Sequence, residues 1–442
     1  MQAINESKKL LKVLGVKMPR SYTVNFLTEL VKAKRAVSKK TDEDMLGLKP
    51  MEDEKIKIAM KILHQGSIFG WNSDTTFAGL CYLRMVRLTV QYGWCEATPY
   101  ALAGYGFMLA SLGEETEAFR YSQLAIRSSK STRALPDVQM MVGAFLSHFE
   151  RPAALSLSPL IDGYRSGLES GNMMCGTICM SVYAHVYLFS GLSLTSFAKD
   201  MLQFSQQLKL CHQELALAFV LPALQLALNL SGQTNDPKDV SINSMRQLDG
   251  YNDSMFVDTT VEDPSVLFVY YLQAFSAYLL GDLDEASRAL DRVYARKKTR
   301  LGGTQILNIF FLVIDGLTSM ALRRYRLTRK HHGLARSSIK ALEALTKKRS
   351  VNCRPVLSLL QAEAGSFRDG NTEMVKKRYS SAIQLLTRSG FLHFTAIANE
   401  LAGRAMLRIQ DDYWAEYYLM EAADKYTEWG AKVKVDQMKE EY

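Results

Sequence analysis

The 442-residue sequence predicts an all-α chain, a superhelical solenoid of antiparallel helical hairpins. Three observations carry that expectation. Apolar residues recur at spacings of three and four, whereas strand-like alternation bounded by turn signals is nearly absent. Helix punctuation is frequent: Thr98-Pro99 reads as a cap followed by proline at the first helical position, and Gly113, Gly191, Gly281 and Gly370 each follow an apolar stretch where a left-handed cap is wanted. Small residues also recur at matched offsets along the chain.

Gly106, Ala118 and Ala125 are spaced by 12 and then 7 residues, and Gly403, Ala415 and Ala422 repeat those offsets. Weaker copies are Ala274, Ala286, Val293 and Glu363, Val375, Ala382. Two antiparallel helices approach closely only where side chains are small, so a Gly or Ala on the first helix faces Ala on the second. This is the spacing of a tetratricopeptide-type hairpin. The anchors Ala118, Ala198, Ala286, Val375 and Ala415 lie 80, 88, 89 and 40 residues apart. Those intervals, near multiples of about 40, exceed the usual repeat of about 34 residues and imply degenerate repeats with longer helices or loops.

Taken in order, residues 1–91 are expected to form leading helices and 92–230 repeat hairpins. The polar stretch 231–262 is expected to be an irregular loop, and 263–442 further hairpins with a closing helix. With only 10 prolines and no long Gly/Ser/Pro-rich linker, the whole of 1–442 reads as a single elongated domain. In the last hairpin, Ile397, Leu401, Ala405 and Ile409 mark one apolar face. Asp411 and Asp412 begin the turn, Tyr418, Ala422, Tyr426 and Trp429 mark the facing stripe, and Gly430 caps it.

Glu114, Glu115 and Glu117 crowd together and raise the question of acid–base catalysis. They follow Gly113 and precede Ala118, so they fall in the first turn of the second helix, where the helix dipole favours carboxylates. Asp282, Asp284 and Glu285 repeat the arrangement after Gly281. A feature that recurs at successive turns is helix-start electrostatics, and no catalytic residue is assigned.

No phosphate-binding GxxxxGK[ST] loop, HExxH, GxSxG, HRD or DFG combination occurs. Gly104-Tyr105-Gly106 begins like a dinucleotide fingerprint, but residue 109 is Leu and the run lies inside a helical pattern. The cysteines 81, 95, 175, 179, 211 and 353 contain no CxxC pair, and Cys175 with Cys179 lacks a second pair to complete a zinc site. His331-His332 sits beside Arg329 and Lys330, a poor setting for a cation, and His148 and His185 read as hydrogen-bonded structural histidines. No metal and no cofactor is expected. The cysteine pattern implies reduced thiols and a cytoplasmic location. Leu215–Leu230, Ile306–Leu322 and Cys175–Leu194 are interrupted by Pro222, Asn308, Asp315 and His185, and read as buried helices, not membrane spans.

Charge is uneven. Segment 288–354 holds 17 Lys/Arg against 3 Asp/Glu, a net +14, where the whole chain is +9. The densest runs supply the candidate partner-binding residues: Arg296, Lys297, Lys298 and Arg300, then Arg323, Arg324, Arg326, Arg329 and Lys330. Such a patch attracts an acidic protein surface, nucleic acid or another polyanion. Tyr325 alone interleaves the densest run, which is weak support for a base-stacking platform.

Five segments in order resemble one family. They are LLKVLGVKMPRS (10–21), MLGLKPMEDEKIKIAMKIL (45–63), YGWCEATPYALAGYGFMLAS (92–111), SHFERPAALSLSPLIDGYRSGLESGN (147–172) and YTEWGAKVKVDQMKEEY (426–442). Together they resemble the tetratricopeptide-like helical region of large multidomain signalling kinases, in which AAA-type ATPase, serine/threonine kinase and sensor histidine kinase modules flank the helical part. Phe149 stands where the family pattern has Trp. In that family catalysis belongs to the flanking modules, so the resemblance carries over no catalytic residue. It implies a non-catalytic protein-interaction scaffold or regulatory region that couples partner or nucleotide state to an output module. A protein partner is expected, with the flanking modules as neighbours should the chain be part of a longer one. The alternative is a standalone basic solenoid that binds nucleic acid or another polyanion through 288–354.

Overall fold

The computed structural model describes residues 2–19, 22–130, 133–252, 255, 264–295, 305–326, 329–347, 350–367 and 372–442. Among these residues there are 22 α-helices, two 3-10 turns and no strand; one isolated bridge links Pro50 and Trp94. The all-helical class follows the apolar periodicity. The chain divides into two compact units, Met1–Ser147 with Pro159–Cys179, and His148–Ser158 with Met180–Tyr442.

The first unit contains α1 Gln2–Val13, α2 Tyr22–Val37, α3 Asp42–Leu46, α4 Glu54–Ser73, α5 Thr75–Tyr92, α6 Thr98–Ser111, α7 Glu115–Ser129 and α8 Leu135–Phe145. A short α9, Ser147–Glu150, starts at the boundary; α10 is Leu157–Ser170, and α11, Met173–Ser190, belongs to this unit as far as Cys179. Helix starts are set by local chemistry. Thr41 and Asp44 form a reciprocal capping box at α3, and Asp74 accepts from Phe77 N at 3.0 Å to start α5. Helix α6 starts one position earlier than its sequence suggests. Ala97 is the cap residue, and Thr98 lies inside the helix with its hydroxyl accepting from Cys95 N at 3.1 Å.

Helices α4 and α5 pair, as do α6 and α7. At Gly106 of α6, a Cβ would lie 2.9 Å from the Ala118 carbonyl of α7, so the small-residue offset marks a backbone contact. Glu114 is the cap residue of α7, with Glu115 and Glu117 in its first turn. Glu114 pairs with Lys34, and Glu117 with Arg120 at 3.0 Å.

The second unit continues with α12 Leu194–Leu210, α13 Glu214–Leu230, α14 Pro264–Leu279, α15 Leu283–Ala295, α16 Gln305–Arg326 and α17 Arg329–Lys347. It closes with α18 Cys353–Gly365, α19 Thr372–Arg388, α20 Leu392–Ile409, α21 Asp412–Trp429 and α22 Lys432–Glu441. Each helix from α12 to α21 pairs with its chain neighbour: α12 with α13, α14 with α15, and so on. Residues 231–252 have no α-helix, only turns and the 3-10 turn Ser244–Gln247. That stretch is tied down where Asn229 Nδ2 donates to the Asp239 carbonyl at 2.8 Å.

The last pair follows the expected stripes with one exception. Tyr418, Ala422, Tyr426 and Trp429 are buried, as are Ile397 and Ala405, but Ile409 is 38% exposed because it lies at the helix end. Gln410 and Gly430 carry the left-handed caps and Asp411 starts α21 by accepting from Trp414 N. At Gly403, a Cβ would lie 2.7 Å from Leu419 Cγ and 3.2 Å from the Ala415 carbonyl. Gly113, Gly191 and Gly281 have positive φ as expected; Gly370 lies outside the described residues.

Among the described residues two helices are long and apolar enough by composition to cross a membrane, Met173–Ser190 and Ile306–Arg324, and 83% and 72% of their windows are buried. His148, His185 and His393 are all buried in the second unit, packed against Phe149, Phe268 and Phe394 respectively. The expectation of hydrogen-bonded structural histidines is corrected. Neither ring nitrogen of any of the three has a partner among the described residues, because aromatic and aliphatic groups surround them. Burial pushes each imidazole down to about 3.

Two outcomes follow for stability. Gly403→Ala is expected to destabilise by about 1–3 kcal/mol through overpacking, net of a gain of about 1 kcal/mol in helix propensity. Gly333→Ala, where nothing lies within 4 Å, is expected to stabilise by about 0.5–1 kcal/mol; urea unfolding of both variants checks the opposite signs. The histidines give a pH dependence. The folded state keeps them neutral while the unfolded chain protonates them below about 6.5. Stability is therefore intact above that pH and is lost as pH falls toward 3, by about 1.4 kcal/mol per pH unit for each histidine. His185→Phe is expected to shallow the slope of unfolding free energy between pH 6 and 4 by that amount.

Candidate functional site

Most of the described part of the basic segment lies in α16 and α17, which pair in the second unit, with α18 packed on both. Close approach is again set by a small residue. At Gly316 of α16 a Cβ would lie 2.8 Å from Leu360 of α18 and 3.5 Å from Ser338 Cβ of α17. Ser338 also donates to the buried Asp315 carboxylate at 2.5 Å, tying α17 to α16. About one turn along from this junction, residues of α16, α17 and α18 line a groove of about 680 Å³.

Met320, Ala335, Ile339 and Ala364 line the groove with apolar surface, and Arg323, Arg336, Lys340 and Arg378 add cationic side chains. Arg336, Lys340 and Glu343 follow one another at i, i+4 and i+7, so they share a face of α17. Arg378 reaches the groove from α19 across Gly365, where a Cβ would lie 2.8 Å from Arg378 Cδ. Glu343 is the groove's carboxylate, and it accepts from Gln361 Nε2 at 3.3 Å. Arg323, Arg336 and Lys340 have no carboxylate partner among the described residues. Among the described residues, cationic side chains outnumber carboxylates around this apolar floor, which makes the local potential positive.

Arg323 and Arg324 part company because successive residues on a helix point about 100° apart. The Arg323 guanidinium lies 5.0 Å from the Phe367 ring centre and lines the groove. Arg324 turns inward. Its Nη2 donates to Glu363 at 2.8 Å and to Ser366 Oγ at 2.6 Å, and it stacks 3.7 Å from Phe367. Glu363 is buried and its other oxygen accepts from the Tyr379 hydroxyl of α19. This explains why an acid occupies a position that is Gly or Ala in the other hairpins: it is neutralised by an arginine and spans to the paired helix.

Of the remaining candidates, Arg296, Lys297, Lys298 and Arg300 lie outside the described residues, as do the side chains of Arg326, Arg329 and Lys330. Farther up the basic segment, Arg288 and Arg292 are committed to Glu285, at 2.8 and 3.1 Å. The densest-run criterion missed Arg336, Lys340 and Arg378. The signal for the first two was the i, i+4 spacing on one helix; Arg378 comes from a separate run, Lys376-Lys377-Arg378, whose position no local pattern discloses.

A second polar cluster lies in the first unit. The buried Asp137 carboxylate accepts from Asn172 Nδ2 at 2.6 Å and from the Cys175 thiol at 3.3 Å, and meets His64 Nε2 at 2.9 Å. A nucleophilic thiol needs its ionisation eased; here burial and the adjacent carboxylate push Cys175 far upward. The cluster fastens α4, α8 and the start of α11 together. Among the described residues no group of three or more His, Cys, Asp or Glu is arranged to hold a metal ion. No family model matches the chain, and none of the curated proteins does.

The two neighbouring arginines are separable by stability. Arg324→Ala leaves Glu363 buried without its cation and is expected to cost about 3–5 kcal/mol. Arg336→Ala, on the groove wall, is expected to stay within about 0.5 kcal/mol of the parent; urea midpoints of the two variants check this.

Proposed function

We propose that the chain is a non-catalytic protein-interaction scaffold, a solenoid of helical hairpins whose basic groove docks an acidic segment of a protein partner. The observation that carries this reading is the set Arg323, Arg336 and Lys340, which face an apolar-floored groove without carboxylate partners among the described residues. Uncompensated surface cations around an apolar floor give both a long-range attraction and a desolvated contact. The resemblance to the helical region of multidomain signalling kinases supports reading the chain as a regulatory region, in which docking biases the output of a flanking ATPase or kinase module. A cytoplasmic setting fits the six free cysteines.

The second reading, a nucleic acid in the same groove, draws on the same cations, but among the described residues no aromatic side chain lines the groove to stack bases.

Isothermal titration of the full chain with poly-L-glutamate of roughly 20 residues tests the reading. Binding is expected to weaken steeply with salt and to vanish in Arg336→Glu/Lys340→Glu. Absence of binding by the parent chain overturns it, and tighter binding of a single-stranded oligonucleotide of equal charge moves the assignment to nucleic acid. The purified chain is expected to give no ATP hydrolysis; turnover would contradict the non-catalytic assignment.

A further inference from the structure

We infer that the groove's occupant is an acidic amphipathic helix, lying with its C-terminal end toward Arg323 and Arg336. This rests on the reading of the groove as an anionic docking site and adds the conformation and direction of what docks there.

Conformation follows from what the groove lacks. Its floor is Met320, Ala335, Ile339 and Ala364, and among the described residues its one side-chain amide, Gln361, donates to Glu343. An extended segment could offer its carbonyls to the arginines and the lysine, but its N–H groups facing that floor would lose water and find no acceptor there, at about 1–3 kcal/mol per buried group. A helix satisfies its own backbone and presents an apolar stripe to the floor and carboxylates to the walls. Length agrees. Arg336 to Glu343 spans about 10 Å at 1.5 Å per residue, or two helical turns.

Direction follows from the charge gradient. Phe367, just past the C-terminal end of α18, marks the end where Arg323 sits, with Arg336 one turn before Lys340 on α17, and Gln361, farther back on α18, meets Glu343. The groove therefore runs from a cationic end to one that carries the Glu343 carboxylate, with Lys340 between. A bound helix places its negative dipole end and its carboxylates at the first and its positive N-terminus near Glu343.

Three peptides of roughly 14 residues and identical composition test this by titration against the full chain, with circular dichroism at 222 nm. One carries an apolar stripe at i, i+3, i+4, i+7 with glutamates in its C-terminal half. The second has the stripe with glutamates in its N-terminal half, and the third is scrambled so that no stripe forms. The first is expected to bind at least about tenfold more tightly than either other peptide and to gain helicity on binding. Equal binding of the first and third, or no gain in helicity, overturns the helical occupant while poly-L-glutamate binding keeps the anionic groove. Equal binding of the first and second overturns the direction. If neither peptides nor poly-L-glutamate bind, the docking-site reading itself falls. On the protein side, Ile339→Asp at the half-buried floor is expected to lose the first peptide and retain poly-L-glutamate; loss of neither overturns the role of the floor.

Discussion

Close contact between paired helices is the constraint on which the second unit and much of the first depend. Where α20 meets α21, and α6 meets α7, a glycine backbone lies against the partner helix so tightly that one added carbon would sit within about 3 Å of its atoms. Packing at that distance removes water from both backbones and brings whole side-chain rows into register. Ala362, Val375, Tyr379, Ala382, Ala402, Ala405, Met406, Ala415 and Tyr418 then form one continuous cluster from four helices, α18 to α21. Small residues at the seam and large aromatics beside it are two halves of one arrangement: Gly403 lets α21 approach, and Tyr418, Tyr426 and Trp429 fill the space its approach encloses.

Charge is handled differently inside and outside that frame. The buried carboxylates Glu363 and Glu400 are each met by cations and by a tyrosine hydroxyl: Arg324 and Tyr379 in the first case, Lys434, Arg404 and Tyr426 in the second. Lys434 is 1% exposed, so an unpaired partner would leave a desolvated charge in the core. These pairs fix which helices neighbour which. Arg336 and Lys340, by contrast, are exposed on the groove wall without a carboxylate partner among the described residues, and contribute little to folding.

The fold class was legible because it rests on local periodicity and on a spacing that repeats. Gly106–Ala118–Ala125 and Gly403–Ala415–Ala422 each straddle a turn between paired helices, as do the weaker copies from Ala274 and Glu363. Less legible were features in which one residue's environment comes from distant chain. The dense-run criterion put Arg323 and Arg324 together, yet one lines the groove and the other neutralises Glu363, 39 residues away. Arg336, Lys340 and Arg378 were passed over because they stand outside the longest basic runs. His148 and His185 read as hydrogen-bonded from their type, but the rings that surround them leave their nitrogens without partners.

The sequence by itself determined the helices, most of their caps and the pairing of neighbours, since each depends on residues within a few turns of one another. Only the tertiary structure decided which charges are exposed. Whether an arginine lines a groove or serves as a buried counter-ion depends on which carboxylate the fold carries to it, and that is set by the junction of α16, α17 and α18 around Gly316 and not by any run of residues along the chain.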